Sequence, residues 1–165
     1  MEGLKKVSDE KFELEKRNTE QKNEEENQKY LISKFSEKIS QNPIIVYVQY
    51  GSGEKPYGDS IRIDKVDGVL TDEQGKRNGV VVNFNKDITI AVSPSGIRAS
   101  GFFSEKSEFY KVTNESYHNI LSMMSELIEK SSYSDADKSK MLQNVINNFR
   151  NKIIKDEDVE KVEKK

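Results

Sequence analysis

Six basic side chains lie among the strand-forming segments of the chain: Arg62, Lys65, Lys76, Arg77, Lys86 and Arg98. Tyr47, Tyr50 and Tyr57 fall near them in sequence. Cations beside aromatic rings can hold an anion, a nucleotide or single-stranded nucleic acid by charge and stacking. Tyr57, Arg62, Lys76, Arg77 and Arg98 are therefore the residues from which a ligand site would be built. The loops at 51–59 and 72–79 would form its rim, because loops on a rigid scaffold carry binding groups. The competing reading is an ordinary wet face, with the basic residues neutralised by the acids of the same segment.

Other chemistries find little support. The chain has one histidine, His118, and no cysteine. Thiolate metal sites, disulfides and cysteine nucleophiles are thereby excluded. Asp64-Lys65-Val66-Asp67-Gly68 lacks the run of oxygen ligands and the distal Glu of a calcium loop. No Gly-x-Ser-x-Gly elbow accompanies His118. Gly75-Lys76-Arg77 lacks the upstream glycine and the following Ser or Thr of a phosphate-binding loop. The 27 basic and 29 acidic residues leave a net charge of −2, spread evenly along the chain. That argues against a general binder of phosphate backbones, which needs a basic face. The expectation is a protein that is not an enzyme and carries no metal or cofactor.

The densest β signal runs from Asn78 to Gly101. Val80, Val82 and Phe84 alternate with Val81, Asn83 and Asn85; Ile88, Ile90 and Val92 alternate with Thr89, Ala91 and Ser93. Period-2 spacing of β-branched residues marks half-buried strands. The three residues between the runs are too few for a crossover, so the strands pair as a hairpin. Pro94-Ser95-Gly96 then turns the chain into a third strand from Ile97 to Phe103. The polar face of this meander reads as an open surface of a small sheet, and its apolar face needs a cover. Ile44 to Tyr50 opens with a continuous apolar run, which predicts a central strand covered on both faces. Ser60 to Val66 reads as a strand, with Gly68 bending or bulging the chain before Val69-Leu70. Glu108 to Val112 is a last short strand.

Helices flank these strands. Ser8, Asp9 and Glu10 form a helix start, with Val7 and Phe12 as a hydrophobic staple. From Glu15 to Lys29 no apolar residue occurs, so this stretch is a solvated helix or a flexible arm rather than a packed element. From Tyr30 the pattern becomes amphipathic through Leu31, Phe35 and Ile39, and Pro43 ends it. Tyr117, Ile120, Leu121, Met124, Leu127 and Ile128 form one helical stripe. Leu142, Val145, Ile146, Phe149 and Ile153 form a second, started by a capping box at Ser134 and Asp137. Their short connection predicts an antiparallel helical hairpin.

The predicted fold is therefore α+β: a small antiparallel sheet of about five strands, packed by a helical hairpin and preceded by a long polar helix. Three regions are expected: an arm over 1–29, an α+β domain over 30–155 and a frayed charged tail over 156–165. The chain opens without the apolar run of a Sec-type leader and holds no stretch of roughly 20 apolar residues; a soluble, cytoplasmic protein is expected. The favoured function is a non-enzymatic protein-interaction module that self-associates or binds a protein partner. Element order and a Lys/Asn/Glu/Ile-rich composition suggest an accessory protein of a bacterium, phage or mobile element. A small-ligand or nucleotide-binding protein and a nucleic-acid-binding protein are the alternatives.

Overall fold

The computed structural model describes residues 25–49, 57–71, 79–101 and 110–163. The predicted helix start at Ser8, most of the polar arm, the 51–56 and 72–78 loops and the 102–109 segment lie outside the described residues.

Helix α1 covers residues 25–41. Leu31, Phe35 and Ile39, four apart, sit on one face and are 0–1% exposed. The residues before them, 25–30, are exposed or half-buried, and Tyr30 is 56% exposed. Amphipathic helix therefore begins where the apolar spacing begins. Lys34 is ion-paired to Glu126, and Lys38 Nζ donates to Ser122 Oγ at 2.6 Å. These contacts lay α1 along the second helix.

Among the described residues seven antiparallel strands follow, in two sheets. β1 (Ile44–Gln49), β2 (Tyr57–Ile63) and β7 (Tyr110–Val112) form one, in the order β2-β1-β7. β3 (Val66–Leu70), β4 (Val80–Phe84), β5 (Ile88–Ser93) and β6 (Gly96–Ala99) form the other as a meander. The fold is α+β as the sequence predicts, with the strands divided between two sheets rather than gathered in one of about five. The division falls at Asp64-Lys65, where β2 ends and β3 begins in the neighbouring sheet. Gly68 marks a bulge, since Val66 pairs with Phe84 but Gly68 already pairs with Asn83. At Gly79, φ is +66° and an added Cβ would lie 1.9 Å from the Val92 carbonyl oxygen. Only glycine fits that approach of the chain to β5.

Helices α2 (Asn114–Lys130) and α3 (Asp135–Phe149) form the predicted hairpin. Thr113 caps α2, and Ser134 caps α3 by accepting from the Asp137 N–H at 3.2 Å. Met141, Val145 and Phe149 are buried whereas Leu142 and Ile146 are half-buried, so the buried stripe of α3 sits to one side of the predicted one. One contiguous core joins α1, α2 and α3 to the inner faces of both sheets. Ile153 does not continue α3. After a 3-10 turn at Arg150–Lys152 it forms a parallel bridge to Val112. The expected frayed tail instead begins as a helix, α4 (Asp156–Glu163), whose Val159 packs on Tyr47 and Ile154.

Candidate interaction surface

The predicted ligand residues are distributed as follows. Lys76 and Arg77 lie outside the described residues, and of Tyr57 only the backbone is described, at the start of β2. Arg62 sits on β2, the outer strand of the three-stranded sheet, with its guanidinium 3.9 Å from Asp64. Arg98 sits on β6, the last strand of the other sheet. Three inter-strand spacings, about 14 Å, separate β6 from β3, where that sheet begins. Arg62 and Arg98 thus belong to different sheets, and the side chains of the other three lie outside the described residues. His118 is exposed on α2, its ring 5.2 Å from that of Tyr117. Among the described residues no cluster of three His, Asp or Glu could hold a metal ion, and no helix is long and apolar enough to cross a membrane.

What the structure does assemble is the outer face of the four-stranded sheet. Strand alternation sends Val80, Val82, Phe84, Ile88, Ile90 and Val92 inward, where all are buried. Helices α2 and α3 share that inner core with them. The intervening side chains must then face the other way. Register aligns them in rows. Leu70 pairs with Val81, Val81 with Ala91, and Ala91 with Arg98. Leu70, Val81 and Ala91 are half-buried and Arg98 is exposed. The adjoining row runs from Gly68 to Asn83 to Thr89. It is completed by Ser100, whose Oγ accepts from the Thr89 N–H at 3.1 Å.

Gly68, Ala91 and Thr89 keep the side chains of these two rows short. The face offers three kinds of contact: an aliphatic strip, a cation at one end and a row of hydrogen-bonding groups. Within that row the Asn83 Oδ1 atom is buried and has no hydrogen-bond partner. At the rim, Asp67 accepts from the Lys86 N–H and pairs with Lys65 at 3.3 Å. This fixes the β4–β5 turn, where Asn85 and Lys86 both have positive φ.

Sequence reasoning singled out Arg98 but not its neighbours. The signal was present in the polar half of the 80–93 alternation, which marks an open face without naming what lines up across it. Comparison with family models, curated proteins and solved structures returned no match for this chain.

Proposed function

We propose that this chain is a non-enzymatic interaction module that engages a protein partner through the outer face of the four-stranded sheet. The observation that supports the reading is the row Leu70, Val81, Ala91 and Arg98, held beside the polar row of Asn83, Thr89 and Ser100. An aliphatic strip bordered by polar groups and an arginine is the composition of a protein-binding patch. A small ligand would need a concave, enclosing site, whereas these rows lie across the surface of a sheet. The chain's near-balanced charge favours protein over nucleic acid.

Site-specific photocrosslinking tests this. A photoreactive residue at Thr89, in the middle of the face, is compared with one at exposed Ser139 on α3. In extract of the source cells the Thr89 probe should give a discrete adduct that the Ser139 probe does not. Val81→Glu, which places a charge in the strip, should abolish it. Equal labelling from both positions, or an adduct indifferent to Val81→Glu, would rule the face out.

A further inference from the structure

A strand that ends a sheet turns half of its backbone N–H and C=O groups outward, where another chain can pair with them. Among the described residues the outer strands are β2, β7, β3 and β6. Three of them are blunted. Beside β7, the Ile154 N–H donates to the Val112 carbonyl at 2.8 Å. β3 is broken by the bulge at Gly68, and the Ser36 hydroxyl of α1 donates to its Val66 carbonyl at 3.4 Å. β2 is bulged against β1 between Val48 and Gln49. Bulges and covering contacts are the usual protection of an edge.

β6 keeps an unbroken register with β5, from Gly96 opposite Ser93 to Ala99 opposite Ile90. The Ser100 N–H donates to the Thr89 carbonyl at 2.9 Å, so Thr89 and Ser100 form a hydrogen-bonded pair. Bonded and non-bonded pairs alternate along an antiparallel ladder. Arg98 is therefore bonded to Ala91, whereas Ile97 and Ala99 face Val92 and Ile90 without bonding. The N–H and C=O groups of Ile97 and Ala99 point to the outer side, and among the described residues no strand pairs with them. The side chains of Ile97 and Ala99 are half-buried at the margin of the main core. Arg98, between them, is exposed on the opposite face.

We propose that β6 takes an extended segment of a protein partner as a further antiparallel strand, with the pattern apolar–acidic–apolar. The proposal rests on the reading of the four-stranded sheet as the partner's surface, and it names the chemistry of the partner's contact. The segment's backbone pairs with Ile97 and Ala99. Its apolar side chains lie in register with those two and cover their half-buried flank. Its acidic residue stands opposite Arg98 in a non-hydrogen-bonded pair, where side chains come closest. A second copy of β6 fits less well. The antiparallel register that joins Ile97 of one copy to Ala99 of the other sets Arg98 against Arg98, and like charges directly opposite repel.

The probe is the fluorescein-labelled peptide Lys-Thr-Val-Glu-Val-Thr-Lys-amide, titrated into the full chain and followed by anisotropy and amide exchange. It should bind saturably and slow exchange at the Ile97 and Ala99 N–H groups. The same peptide with Lys in place of Glu should bind at least about fivefold more weakly, and Arg98→Glu should reverse that preference. Ala99→Pro removes an outward N–H and no bond to β5; it should abolish binding while circular dichroism stays that of the folded chain. Absence of saturable binding would overturn the proposal, as would binding that spares these two amides or ignores both substitutions. Slowed exchange at the two amides in the concentrated chain alone would make a second copy the occupant and overturn it equally. The Thr89 crosslink separates this proposal from the reading it rests on. An adduct that persists in Ala99→Pro chains removes the edge and keeps the face, whereas peptide binding as expected with no Thr89 adduct keeps the edge and removes the face.

Discussion

Tyr110 shows how a single side chain ties the fold to pH. Burial pushes its phenol up to about 12 from an ordinary value of 10.0, and the neighbouring Asn148 side chain pulls the other way. The residue is 2% exposed, and Lys152 Nζ lies 4.0 Å from its ring centroid. Desolvation disfavours the phenolate, so the folded protein keeps the proton that the unfolded chain releases near pH 10. The stabilisation is whole below pH 10 and is lost as pH rises from there through about 12, at a slope of about 1.4 kcal/mol per pH unit at most. Tyr110→Phe has no proton to lose. Urea melts taken between pH 10 and 12 should therefore fall less steeply for Tyr110→Phe than for wild type. Parallel curves would mean that the phenol ionises equally in both states. Lys34 is shifted by a different cause: its hydrogen bond to Glu126 raises its pKa, and as an exposed group it adds little to stability.

At the scale of elements, local pattern carried the reading and distant pairing limited it. Alternation over 80–92 places β4 and β5, and the apolar opening of Ile44 to Tyr50 predicts a central strand covered on both faces. β1 is that strand, with β2 and β7 as neighbours and α4 on the side away from the core. The split into two sheets is set by β1 pairing with β7, a segment more than sixty residues later, and no local signal announces it. Nor does composition reveal Ser116. Its hydroxyl accepts from the Ile45 N–H at 2.8 Å and from the Thr113 hydroxyl at 2.7 Å. It continues the β1 ladder beyond the point where β7 ends, and it is 2% exposed. Ser116→Ala leaves the Ile45 N–H without that acceptor, a cost of about 1–3 kcal/mol. Chemical denaturation should show that loss, with faster amide exchange at Ile45. Unchanged exchange there would mean that another acceptor takes over.

Among the described residues, α1, α2 and α3 roof the main core, and α4 covers a second, smaller cluster on the three-stranded sheet. Of the five residues chosen from sequence for a site, Arg98 supplies the cation of the interaction surface proposed above. The surface itself was legible only as a polar face, because which residues line up across four strands depends on register. The boundary of the folded unit is better specified. Burial in α1 begins at Leu31, and the sequence from Glu15 to Lys29 has no apolar side chain to bury. Removing residues 1–29 should therefore leave Leu31, Phe35 and Ile39 seated on α2 and the sheets. The Lys130 contact with the Tyr30 ring, 5.2 Å to its centroid, would be retained. A thermal melt within a few degrees of the full-length transition is expected, since a loss of about 1 kcal/mol corresponds to roughly 2–4 °C in a domain of this size. Because the four-stranded face is untouched, the truncated chain should also keep the Thr89 crosslink of the full chain. Loss of the crosslink with an unchanged melt would place part of the partner's contact in the leading segment, and loss of the cooperative transition would place part of the core there.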